Sequence, residues 1–197
     1  MFHRMTKLLS LLLALALAAC STGPGEPPLA GARMGGPFAL VNGDGRTVTD
    51  AQFKGRYRLM YFGYTFCPDV CPTSLAKLMA GYRDLARDHP DKAAKLQPIF
   101  VTVDPERDTP SVVKQYAAGF GPGLLGLTGS PETIKAVSKA YGVGATREEV
   151  EGSSEYLMTH SDLAVLYDPD GKPLIAIPKD PDIPPQAVAD ELARWIR

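Results

Sequence analysis

Two cysteines four residues apart, Cys67 and Cys71, lie in the segment Phe66-Cys67-Pro68-Asp69-Val70-Cys71-Pro72. If the segment forms one helical turn, their side chains share a face. Their Cα atoms are then about 6 Å apart, within disulfide range. A helix N-terminus at this point favours thiolate and lowers the thiol pKa. Two chemistries use such a pair: reversible disulfide exchange and binding of a soft metal. The bland alternative is a passive disulfide or two buried thiols, which leaves the flanking prolines without a purpose.

A third group would decide between redox and metal chemistry. The histidines are His3, His89 and His160. His3 belongs to a leader segment, and His89 sits at a charged helix end before Pro90. His160 follows Tyr156-Leu157-Met158-Thr159 and precedes a strand; by spacing alone, such a histidine is more often ordinary than a ligand. Asp69 and the loop Asp104 to Asp108 either face a partner or tune the site, or are simply solvated. Glu148, Glu149, Glu151 and Glu155 read as a mobile solvated loop, or else as a docking surface.

The elements that must position these groups follow from periodicity. Phe38 to Val41 and Thr47 to Thr49 flank Asn42-Gly43-Asp44-Gly45, a hairpin turn signal. Tyr57 to Tyr64 and Pro98 to Val103 suit buried central strands. Between them, apolar residues at Leu75, Leu78, Met79, Tyr82 and Leu85 have helical spacing, fraying near His89-Pro90. Thr109-Pro110 opens a second helix with Thr as N-cap, and Ser130-Pro131 opens a third running to about Tyr141. Leu124 to Leu127 is a short strand. Leu163 to Tyr167 and Leu174 to Ile177 flank Asp168-Pro169-Asp170-Gly171 as a late hairpin, and a last helix runs from about Pro185. Alternating strands and helices imply a parallel centre, and the late hairpin adds antiparallel strands. The cysteine segment then lies beyond the C-terminal end of a central strand, where ligands gather in open α/β sheets.

The start of the chain addresses it. Arg4 and Lys7 precede an apolar run, Leu8 to Ala19, that ends in Leu17-Ala18-Ala19-Cys20. That pattern describes a secretory signal too short to span a bilayer comfortably. Its ending resembles a bacterial lipoprotein box, which makes Cys20 the lipidated first residue of an extracytoplasmic, membrane-anchored protein. Nine of the 17 residues from Ser21 to Pro37 are Gly or Pro, so the segment reads as a flexible tether with a span of roughly 20–25 Å. The expected organisation is a signal peptide over 1–19, a tether over 20–37 and one domain over 38–197. A formal net charge of −1 offers no basic excess for phosphates, which excludes nucleic acid as a partner. Three cysteines in 197 residues are too few for a disulfide scaffold.

From Phe38 to its C-terminus the sequence resembles the Sco/SenC family of thioredoxin-like copper-binding proteins. The matching blocks are Phe62 to Pro72, Val103-Asp104-Pro105-Glu106-Arg107-Asp108-Thr109-Pro110, Gly126-Leu127-Thr128-Gly129, His160 and Asp168 to Gly171. The resemblance implies an α/β, thioredoxin-like three-layer fold: a central mixed sheet flanked by helices, with an added N-terminal hairpin and a late β-hairpin. It implies that Cys67 and Cys71 are thiolate ligands and His160 the histidine ligand of one copper ion, as Cu(I) and Cu(II). It also implies a role in assembling the binuclear copper site of cytochrome c oxidase subunit II, with a thiol reductant and an upstream copper donor. Met158-Thr159 precedes the histidine where family members often carry an acidic residue, so no carboxylate partner for His160 is assigned.

Two functions compete. One is a monomeric metallochaperone. The other is a thiol-disulfide oxidoreductase in which Cys67 and Cys71 are the redox pair. A thioredoxin-type reductase usually has CxxC spacing and a facing proline, whereas here the spacing is CxxxC and no proline lies between Glu155 and Asp162. A peroxidase of the peroxiredoxin kind fits poorly, because Thr65 is only two residues before Cys67.

Overall fold

The two most continuous apolar runs become neighbouring central strands, β3 (Tyr57–Gly63) and β4 (Leu96–Thr102). They pair in parallel from Tyr57↔Leu96 to Gly63↔Thr102. All of β3 is buried, as expected of a strand covered on both faces. The computed structural model describes residues 25–152, 155–177 and 183–197. The signal segment, Cys20 and the first residues of the expected tether lie outside them.

Two shorter strands at the start of the chain, β1 (Ala39–Asn42) and β2 (Thr47–Thr49), form the N-terminal hairpin. Its turn closes with Gly45 at φ 75°, a conformation that favours glycine, while Asn42 Oδ1 accepts from the amides of Asp44 and Arg46. Strand β5 (Leu125–Thr128) adds to β4 in parallel and receives β1 antiparallel. Two ribbons complete the described strands: β6 (Ala145–Glu149) with β7 (Tyr156–His160), and β8 (Ala164–Tyr167) with β9 (Pro173–Ile177). Among the described residues, the large sheet runs β2-β1-β5-β4-β3-β8-β9, and β6-β7 stands apart from it.

Successive residues of β3 point to opposite faces and found two cores. On one face Tyr61 stacks on Phe100, which meets Tyr116 and, through it, Phe120. On the other face Phe62 packs against Tyr141, which also meets Phe38 and Tyr167. Helix α1 (Val70–Asp88) buries Cys71, Leu75, Leu78, Met79 and Leu85, and a short helix α2 (Pro90–Ala93) follows it. The first face is completed by α3 (Pro110–Ala118), and the second by α4 (Pro131–Ala140), which leads into Tyr141. The last helix, α5 (Pro185–Trp195), packs on α1 so closely that a Cβ on Gly81 would lie 2.6 Å from Val188. Ser130 caps α4 by accepting from the Thr133 amide; Thr109 holds the N-cap position of α3 but contacts the Ser111 hydroxyl instead.

Two expectations need correction. The glutamate-rich stretch is not an unstructured loop: Glu148 and Glu149 belong to β6, paired with Leu157 and Tyr156 of β7. Every residue of β6 is exposed, as expected of a solvated stretch, but cross-strand pairing orders it in place of burial. The described part of the expected tether lies along the domain. The Leu29 amide donates to the Leu174 carbonyl, the Gly35 amide to the Ala140 carbonyl, and the Tyr141 hydroxyl to the Gly36 carbonyl. Backbone groups in a Gly/Pro-rich segment remain obligatory hydrogen-bond partners even where no apolar period announces a docking face.

Candidate functional site

Strand β3 ends at Gly63 and α1 begins at Val70, so the segment between them carries Cys67 outside the helix and Cys71 within its first turn. The two do not share one helical turn as the spacing suggested. They still meet, because the Cys71 amide donates to Cys67 Sγ at 3.4 Å. Both thiols are free; Cys67 is half-buried and Cys71 fully buried. Gly63 makes room for the inner thiol, since a Cβ there would lie 3.2 Å from Cys71 Sγ and 3.0 Å from Tyr61 Cε1.

The two thiols differ in acidity. Burial pushes Cys67 up, but the amides of Asp69, Cys71 and Val70 outweigh it and hold the thiol below its ordinary value. Burial dominates at Cys71 and, with Cys67 beside it, pushes that thiol up to about 12. A helix terminus was expected to favour thiolate at both positions. It does so only at Cys67, which faces the free amides.

His160 ends β7 and points its Nε2 at Cys71 Sγ, 3.2 Å away. Its Nδ1 lies 3.1 Å from the Ser161 carbonyl oxygen. A carbonyl only accepts, so Nδ1 is the donor, and in the neutral ring Nε2 presents a lone pair to the thiol. The partner that sequence left unassigned is therefore a backbone carbonyl. Tyr64 meets the imidazole edge-on, with ring centroids 5.9 Å apart. Cys71 thus touches both other candidates. Even so, no set of three or more His, Cys, Asp or Glu side chains among the described residues stands at metal-binding spacing.

The aspartates of the loop after β4 are buried, not solvated. Asp108 accepts from the Thr65 amide at 3.0 Å, the Thr65 hydroxyl at 2.5 Å and the Thr102 hydroxyl at 2.5 Å. It ties the cysteine segment to the end of β4. Asp104 accepts from the Tyr156 hydroxyl at 2.8 Å and from Arg107 Nε at 2.5 Å. Asp69 is exposed, and its backbone, not its carboxylate, faces Cys67. Arg107 and Tyr64 fall within the blocks that carry the resemblance but were given no individual role, and Tyr156 was given none either. Only their aromatic or cationic character near the cysteine and histidine segments could have drawn attention to them.

Fold and site define a thioredoxin-like protein with two free thiols and an imidazole gathered beyond the C-terminal end of a central strand. The chain belongs to the SCO1/SenC family, whose model matches residues 26–197. The Arabidopsis thaliana protein SCO1 homolog 1, mitochondrial, is 43% identical over 146 residues, which is 74% of this chain and 42% of that protein. Bradyrhizobium japonicum ScoI, solved with copper bound, is 40% identical with a TM-score of 0.73, over 82% of this chain and 99% of that one. BsSco, described as a member of the Sco family of cytochrome c oxidase assembly proteins with a disulfide switch, is 25% identical with a TM-score of 0.61, over 86% of this chain and 95% of that one. The chain spans about half the length of the curated relatives it matches.

Proposed function

We propose that the domain carries one copper ion as cargo, held by Cys67, Cys71 and His160, and passes it to a thiol-bearing acceptor. The acceptor in this reading is the binuclear copper site of cytochrome c oxidase subunit II; the likeness to BsSco, a member of the Sco family of cytochrome c oxidase assembly proteins, supports it. The supporting observation is the contact between Cys71 Sγ and an imidazole whose proton is committed to the Ser161 carbonyl. Two thiolates suit Cu(I), and an imidazole helps to hold Cu(II). Two sulfurs and one nitrogen leave room for an incoming thiol, so copper moves by ligand exchange. Loading requires the reduced pair and releases thiol protons. A thiol reductant and an upstream copper donor are therefore partners of the same site.

The test is a competition titration of the reduced protein with Cu(I), beside Cys67→Ser and Cys71→Ser. One copper per chain is expected, with at least a hundredfold loss in either variant. A wild-type protein that binds no copper overturns the reading.

The unequal thiols favour a second activity. The Cys67 thiolate attacks a partner disulfide and expels one partner thiolate. Cys71 then attacks Cys67 Sγ, releases the second partner thiolate and leaves a Cys67–Cys71 disulfide that an external thiol reduces. Reduction of an oxidised acceptor by the copper-free domain, lost in Cys67→Ser, would support it. Unchanged acceptor oxidation would remove it.

The protein acts as a monomer outside the cytoplasm, tethered through lipidated Cys20. Among the described residues no helix is long and apolar enough to cross a membrane. Cys20→Ser should release the protein from membranes and abolish acyl labelling; continued labelling contradicts the anchor.

A further inference from the structure

The ribbon that carries His160 pairs with no strand of the large sheet. Residues 161–163 lead from His160 directly into β8, and side-chain contacts add to that tie; one guanidinium touches both halves of the site. Arg107 lies in the loop after β4 with its side chain 16% exposed. Its Nη1 donates to the Tyr156 carbonyl at 2.9 Å, and its Cζ lies over the Tyr156 ring, 3.6 Å from the centroid. The same group lies 4.9 Å from the ring of Phe66, the residue before Cys67, and 5.8 Å from the ring of Tyr64, which meets His160. Asp104 fixes the arrangement from below, accepting from Arg107 Nε and from the Tyr156 hydroxyl. Tyr156 opens the five-residue strand that ends on His160. It is held by its carbonyl, its hydroxyl and its ring at once.

We infer that Arg107 is a positioning residue that sets the separation between His160 and the cysteine pair. The inference rests on the copper reading and adds to it a prediction about oxidation state. Cu(I) is held chiefly by the two soft thiolates, whereas Cu(II) draws more on the imidazole. Loss of Arg107 therefore falls chiefly on Cu(II). A lysine does not substitute, because it offers neither a plane to stack on Tyr156 nor a fork to reach Asp104 and the carbonyl together.

The experiment compares the full chain with Arg107→Lys and Tyr156→Leu. The second variant leaves the buried Asp104–Arg107 pair intact and serves if the first does not fold. Affinities for Cu(I) and Cu(II) are measured by competition, and the thiolate-to-Cu(II) absorption band and the electron paramagnetic resonance spectrum are recorded. Expected are at least a tenfold loss of Cu(II) affinity, a shifted band, Cu(I) affinity within twofold of wild type and two titratable thiols. Unchanged Cu(II) affinity and spectrum overturn the inference, and so does an equal loss of both oxidation states. The wild type and His160→Ala, measured alongside, separate the two levels. If wild type holds Cu(II) through His160 while the Arg107 and Tyr156 variants match it, only the positioning role falls. If wild type binds no copper, the copper reading falls with it.

Discussion

His160 Nε2 and Cys71 Sγ lie 3.2 Å apart although 89 residues separate them in the chain. The contact joins the β6-β7 ribbon to the first turn of α1, so the site exists only in the folded protein. Because the Ser161 carbonyl takes the Nδ1 proton, the nitrogen facing the thiol is an acceptor in the neutral ring. That pairing lets the imidazole accept a hydrogen bond from the thiol in the copper-free state and share a soft metal with the sulfur when copper is bound.

The thiols should react unequally. Cys67 is half-buried with a lowered pKa, whereas Cys71 is fully buried with a raised one. Reaction follows the thiolate. At pH 7, iodoacetamide should label Cys67 at least tenfold faster than Cys71, read by peptide mass spectrometry. Equal rates would contradict the asymmetry.

Copper affinity should climb with pH. The Cys71 thiol, pushed up to about 12, is protonated throughout the range from pH 6 to 8. Copper must displace that proton, and binding that releases a proton strengthens as pH rises. Apparent Cu(I) affinity should rise at least tenfold per pH unit, and more steeply where Cys67 is also protonated. A chelator competition series that is flat over this range would show that Cys71 is already a thiolate.

Asp108 should matter for stability through the cysteine segment. Asp108→Ala strands the Thr65 amide and two hydroxyls, at a cost of about 3 kcal/mol. Asp108→Asn keeps an acceptor and should cost about 1 kcal/mol. Burial, opposed by these three donors, holds the carboxyl above its ordinary value. A carboxyl raised on folding favours the fold when protonated, and this contribution is lost as pH rises through the raised value. The gap between wild type and Asp108→Asn should therefore be widest in acid. Urea unfolding at several pH values reads both effects, and a gap that widens with rising pH would reverse the assignment.

Gly63 should not accept a side chain. A Cβ there meets Cys71 Sγ at 3.2 Å and Tyr61 Cε1 at 3.0 Å. Gly63→Ala should cost roughly 1–3 kcal/mol and weaken copper binding, because the thiol must shift. Unchanged unfolding and affinity would mean that the inner cysteine has slack.

The large sheet was legible because its central strands are uninterrupted apolar runs, and the cysteine pair because its residue types and junction are unusual. The β6-β7 ribbon was not, because a fully exposed strand such as Ala145–Glu149 shows no apolar alternation and its charges look solvated. The roles of Asp104 and Asp108 stayed open for the opposite reason. Their burial depends on Tyr156 and Thr65, distant in sequence, and not on their neighbours. His160 was marked by resemblance alone, since its geometric credentials come from Cys71 and the Ser161 carbonyl. The difference between the two thiols follows from where α1 starts, between Asp69 and Val70, and a boundary that fine is beyond periodicity.

The most direct test of the account is Cu(II) binding by the reduced protein with and without the imidazole. Wild type is predicted to take up one Cu(II) with a thiolate charge-transfer band. His160→Ala, still carrying both thiols and still binding one Cu(I), is predicted to lose that band and at least tenfold in Cu(II) affinity. A His160→Ala protein that binds both oxidation states as wild type does would contradict it.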